Sequence, residues 1–245
     1  MRARVRVLED AAAVAQAAAD VVAAAVRQDA RIVLALPTGR TPIPLYDELA
    51  RRHAAGAIDL SRARGFNLDE LALPRNDPRT FRAFMERHAW GRTGLARERC
   101  DIPDGSASDL DAECRRYEDA IEEAGGLDLA LLGVGIDGHV AYNMPGPLRL
   151  PTHVTRLPDG LAASLEVPPE DWPLRAITMG IGTIRSARRI LVLATGETKA
   201  TAVLRLAYGP EDPQWPCSFL TRHDSLDVLA DPGAARALDG GAEVM

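Results

Sequence analysis

With 245 residues, 47% of them hydrophobic and 26% charged, the chain has the make-up of a soluble globular protein that buries its own core without disulfides or metal. Its net charge of −6, with 29 Lys and Arg scattered along the sequence, argues against nucleic acid as a partner and leaves room only for a local basic site. The start "MRARVRVLED" lacks the apolar core of a signal peptide, no stretch approaches the ~20 apolar residues of a membrane span, and Cys100, Cys114 and Cys217 form no C-x-x-C pair, so a cytoplasmic protein is expected.

In chain order, "RVRVL" (4–8) reads as a first strand and the Ala-rich 10–28 as a helix. "RIVLALP" (31–37) is a buried strand ended by a proline, and 42–56 a helix with Pro near its first turn and Gly56 at its end. "ARGFNLDE" (63–70) reads as one strand with carboxylates at its tip. Helical patterns occupy 79–90 and 108–124, and "LDLALLGVG" (127–135) is a strand with a glycine-rich exit. The proline-rich 145–173 has no clear period and is expected to be a long loop or lid. Residues 176–187 resemble a strand, turn and short helix, 189–196 a buried strand, 197–209 a helix, and 218–231 a helix-strand tail. No repeat or linker interrupts this alternation. It predicts a single α/β domain over 1–245: a Rossmann-like three-layer fold with a mostly parallel central sheet and ligands at the carboxyl ends of the strands.

Four strand ends carry residues suited to chemistry. In "LPTGRTP" (36–42), Thr38, Gly39, Arg40 and Thr41 sit between a buried strand and a helix, where hydroxyls, backbone N–H groups and a helix N-terminus suit a phosphate. The loop lacks the nucleotide P-loop pattern, and a plain strand-to-helix turn is the alternative. In "FNLDE", Asp69 and Glu70 point to opposite sides of a strand, so at most one faces a given ligand; the other reading is a solvated pair or a helix cap. "GVGIDGHVAYNMPG" (133–146) brings Asp137, Gly138 and His139 together just after a strand, and an imidazole is the usual group for proton transfer near neutrality. Lys199 in "ATGETKA" could neutralise a phosphate or simply face solvent.

The ordered set "LPTGRTPIPLYDEL", "FNLDELALPRNDPRTFRAFM", "DAECRRYEDAI", "LLGVGIDGHVAYNMPG", "AITMGIGTIRSARRILVLATGETKA" and "WPCSFLTRHDSLDVLAD" resembles the glucosamine-6-phosphate deaminase (isomerising) family nearly end to end. More distantly it resembles the 6-phosphogluconolactonases, which usually continue D-G-H with T-A-S-L-F-P where this chain reads "VAYNMPG". The resemblance implies chemistry on a sugar phosphate with no metal or other cofactor. It implies Thr38, Gly39, Arg40 and Thr41 around the phosphate with Lys199 assisting, Asp69 as the base moving a proton between C1 and C2, and Asp137 with His139 for ring opening. A homo-oligomer is compatible with it. No membrane or nucleic-acid partner is implied.

There are three departures from that pattern. Met144 stands where the deaminases usually have the Glu of N-E-P, Arg40 where the phosphate loop usually has a second Gly, and "DGLAASLEV" (159–167) has no Arg where the lid usually supplies one. Glu70, Gly138, Asn143 and Met144 are accordingly expected to affect specificity. The expected activity is isomerisation with deamination of an amino-sugar phosphate. The competing expectations are an isomerase without ammonia loss, a sugar-phosphate-binding protein without catalysis, and a lactonase.

Overall fold

The structure is a computed structural model and describes residues 3–238, so the outermost residues of the expected 1–245 unit lie outside it. Among the described residues ten strands and eight α-helices follow in order. These are β1 Arg4–Val7, α1 Ala11–Gln28, β2 Val33–Leu36, α2 Ile43–Ala54, β3 Arg64–Asn67, β4 Asp69–Leu71, α3 Phe81–His88, β5 Cys100–Asp101 and α4 Leu110–Glu123. There follow β6 Leu129–Gly133, β7 His153–Arg156, α5 Asp159–Ser164, β8 Arg175–Thr178, α6 Ile181–Arg185, β9 Arg189–Ala194, α7 Ala200–Tyr208, β10 Leu226–Ala230 and α8 Pro232–Ala235.

Seven strands form one wholly parallel sheet in the order β1-β10-β9-β6-β2-β3-β5. Its central strands β2 and β6 are apolar at every position and β9 after its first residue, and the period of two sorts their side chains onto two faces. Leu34 and Leu36, Leu129 and Leu131, and Leu191 and Leu193 pack on the face covered by α1 and α2. Val33 and Ala35, Ala130 and Leu132, and Ile190 and Val192 pack on the other, with residues of α4, α6 and α7. Small Ala side chains bring α1 close to the sheet, and Asp10 starts that helix by accepting the Ala13 N–H at 2.8 Å. The three cysteines are buried free thiols. Among the described residues no helix is long and apolar enough to cross a membrane.

The strand order changes direction between β2 and β6: the chain moves outward through β3 and β5, then returns to the far side of β2. These two strands pair only at Leu34↔Leu129 and Ala35↔Ala130, whereas β6 stays paired with β9 as far as Gly133↔Leu193. The crevice so opened at the carboxyl ends is where a doubly wound sheet binds its ligand.

Two expectations need correction. The strand expected over 63–70 is broken. Asn67 is the last residue paired with β2, Leu68 bridges the Leu36 carbonyl and the Met179 N–H, and Asp69 begins β4 in a separate antiparallel sheet, β4-β8-β7. The segment 145–173 is likewise no continuous loop. It holds β7, paired with β8 from His153↔Thr178 to Arg156↔Arg175, and the short α5. Its prolines fall outside both elements, with Pro158 directly before α5, so they punctuate the segment without breaking it.

Candidate functional site

A cavity of about 540 Å³ occupies the crevice. Its wall includes the β2 loop (Thr38, Gly39, Arg40, Thr41), Asp69, the β6 loop (Gly133 to Ile136, and His139), and Lys199 after β9. Each of the four strand ends singled out in the sequence therefore contributes to one cavity, and Asp69 and His139 face it together.

The β2 loop turns at Gly39, whose φ of +89° is a left-handed conformation that favours glycine. It is braced beneath by the Tyr46 hydroxyl, which donates to the Pro37 carbonyl at 2.7 Å. Thr38 Oγ1 lies 3.4 Å from Asp69 Oδ1. Asp69 is only 5% exposed, and burial, reinforced by the charge of Glu70 and opposed by the Thr38 hydroxyl, raises its pKa to about 7. A carboxyl poised there ionises at neutral pH and binds a proton strongly, as a general base requires.

His139 is fixed by its own loop. Asp137 Oδ1 accepts the His139 backbone N–H at 3.2 Å and lies 2.6 Å from Nδ1. Burial pushes the Asp137 pKa up, but the hydrogen bond and charge of His139 outweigh it, and the net shift is downward. The ring lies directly over Gly135, where a Cβ would come within 2.2 Å of Nδ1, so only glycine permits this placement. Asp137 itself is not part of the cavity wall; it acts on the site through the imidazole. With Nδ1 engaged, Nε2 is the nitrogen left for a ligand.

Arg40 and Lys199 are the Arg and Lys in the described wall. Burial lowers the Lys199 pKa; Asp137 opposes that and Arg40 adds to it. Two cations that repel across one end of a cavity form a site for an anion. Another part of the wall is apolar. Leu161 in α5 and Leu165 just after it face the cavity, so the segment in which the resemblance would place an arginine presents leucine instead.

None of the four residues expected to affect specificity lines this cavity. Glu70 points away from it, as the alternation of β4 requires, and accepts the N–H groups of Leu71 (2.7 Å), Phe81 (2.7 Å) and Arg82 (2.9 Å). It holds the N-terminus of α3, and burial raises its pKa to about 6 despite these bonds. Gly138 sits against Trp215, which a Cβ would approach to 2.8 Å. Asn143 is buried and donates Nδ2 hydrogens to the Val140 and Met179 carbonyls at 2.9 and 2.8 Å. Met144 packs against the core and lines a separate cavity of about 340 Å³. Sequence reading missed Phe81, Tyr142, Leu161, Leu165, Thr195 and Thr198, all in the wall. All six lay within stretches already quoted, but their place in the wall depends on how α3, α5 and the loops after β6 and β9 fold over the sheet.

Glu70→Ala leaves three N–H groups without their acceptor. A loss of stability of about 2–4 kcal/mol is expected, with the preference among sugar phosphates unchanged. Chemical denaturation and a substrate panel check both halves; unaltered stability with altered preference would return Glu70 to a specificity role.

Residues 8–229 match the family described as glucosamine-6-phosphate isomerases/6-phosphogluconolactonase. The chain belongs to this family. It is 38% identical over 240 residues to a glucosamine-6-phosphate deaminase of Beutenbergia cavernae, covering 95% of this chain and 91% of the relative. It is 42% identical over 219 residues to that of Rhodopirellula baltica, covering 87% of each. Among solved structures, a monomeric glucosamine-6-phosphate deaminase superposes with a TM-score of 0.89 at 35% identity, over 95% of this chain and 99% of that one. A Thermotoga maritima 6-phosphogluconolactonase superposes with a TM-score of 0.73 at 22% identity, over 94% and 99%, and shares the fold of the glucosamine-6-phosphate isomerase/6-phosphogluconolactonase family.

Proposed function

We propose that the protein converts glucosamine 6-phosphate, or a close amino-sugar phosphate, to a ketose phosphate and ammonia in the cytoplasm. The observation that carries this reading is the presence of Asp69, His139 and the Arg40–Lys199 pair in the wall of one cavity, in a chain akin to deaminases along most of its length.

The phosphate sits at the β2 loop, held by Thr38, Gly39 and Thr41 with Arg40 and Lys199 supplying charge. His139 Nε2 carries the proton from the C1 hydroxyl to the ring oxygen as the C1–O bond of the ring breaks, giving the open aldehyde. Asp69 then removes the C2 proton. The C2–H pair becomes the C1=C2 double bond, and the carbonyl pair moves onto the C1 oxygen. The proton returns from Asp69 to C1 while the nitrogen lone pair forms C2=N. The C1 oxygen takes a proton from that nitrogen, water adds to the imine at C2, and ammonia leaves.

Incubation with glucosamine 6-phosphate, with ammonia and ketose phosphate measured together, tests the reading. Equal amounts of both are expected. Ketose without ammonia would move the protein to the isomerases, and binding without turnover to the sugar-phosphate binders. Arg40→Ala and Lys199→Met are each expected to raise KM for the phosphate ester about 10–100-fold with a smaller effect on kcat. Steady-state kinetics check this; an unchanged KM in Arg40→Ala would place the phosphate elsewhere.

A further inference from the structure

Tyr142 lines the reaction cavity, yet no step above uses it. Its ring has two ring neighbours and its backbone is anchored. It stacks on Phe81 with centroids 5.8 Å apart, lies 6.4 Å from the His139 imidazole, and is anchored by its own backbone N–H, which donates to Thr178 Oγ1 at 2.9 Å. Thr178 is the residue paired with Asp69 across β4 and β8. The tyrosine therefore adjoins both the base and the imidazole. Only 7% of the residue is exposed, and its hydroxyl has no hydrogen-bond partner among the described residues, yet it is not among the sealed polar atoms that lack one. A phenol that is unpaired but not sealed, on a residue of the cavity wall, is available to a ligand atom.

We propose that the Tyr142 hydroxyl is a further catalytic group, donating a hydrogen bond to the C1 oxygen of the open-chain sugar as charge builds there. The inference rests on the deamination reading and assigns a role that Asp69 and His139 leave open. Asp69 works at C2, and His139 works on the oxygens bonded to C1. A group adjoining both side chains stands beside the C1 oxygen, the atom that receives the electron pair when the C2 proton is taken. The phenol keeps its proton throughout, and no atom is transferred. Burial, with the charges of Asp69 and Glu70 beside it, holds the phenol pKa well above its ordinary value, so it stays a donor across the working pH range. A fixed donor aimed at developing charge in a dry site is worth far more than the same bond in water.

Tyr142→Phe keeps the ring and its stack on Phe81. The expected result is a fall in kcat of about 10²-fold, with KM within about twofold of the parent and an unchanged thermal midpoint. Exchange of the C2 hydrogen with deuterated solvent, followed alongside ammonia release, separates this inference from the reading beneath it. A parent that exchanges hydrogen without releasing ammonia overturns the deamination, and its exchange rate then tests Tyr142. Equal rates in parent and Tyr142→Phe overturn the role of the hydroxyl. A parent that does neither overturns both.

Discussion

Asp69→Asn should lower turnover by about 10²–10⁴-fold, the range for loss of a positioned general base, while making the protein more stable at pH 8. The two effects share a cause. In the unfolded chain this carboxyl titrates near 3.8, and in the folded protein near 7. The folded state therefore binds a proton that the unfolded state releases over that interval, and stability falls as pH rises through it. The amide carries no such cost. Its advantage should be absent below about pH 4, grow to about pH 7, and reach a few kcal/mol, or on the order of 5–10 °C in thermal midpoint. Thermal denaturation of both proteins across that range checks the sign, and a variant no more stable at pH 8 would contradict the buried-carboxyl account. In the parent enzyme the same ionisation predicts that kcat/KM declines as pH falls below about 7, approaching tenfold per unit. A flat profile between pH 5 and 7 would rule Asp69 out as the base.

His139→Gln is expected to cost about 10²–10³-fold in turnover of the cyclic substrate, with a kinetic signature of its own. Sugar phosphates open slowly in solution, and Asp69 can still act on the fraction already open. The rate should then cease to rise with protein concentration once it reaches the spontaneous opening rate. A rate that stays proportional to protein at all concentrations would show that ring opening does not depend on His139. Asp137→Asn should reproduce a large part of the loss, because its carboxylate lies 2.6 Å from Nδ1 and holds the ring with Nε2 toward the cavity.

Much of this was legible in the sequence. The apolar strands announced a parallel sheet, because strands covered on both faces leave no place for polar residues. Strand-end motifs located most of the groups, because a sheet of this kind gathers the carboxyl ends of its strands at one edge. What escaped was set by partners distant in sequence. Nothing in "FNLDE" shows that the ladder changes at Leu68, since that depends on where β8 lies. Nor does the sequence show that α3 engages the Glu70 carboxylate, or that the Val140 and Met179 carbonyls engage the Asn143 amide. The segment 145–173 was unreadable because β7 and α5 are too short to establish a period.

The crossing at Leu68 also bears on how this enzyme could change over evolutionary time. Asp69 stands where two hydrogen-bonded sheets meet, so its backbone is tied on both sides. The leucines of and beside α5 face the same hollow from one short segment that also packs against the core. Substitutions there can retailor which sugars are admitted while the proton-transfer apparatus stays untouched, so new selectivities are reachable one residue at a time.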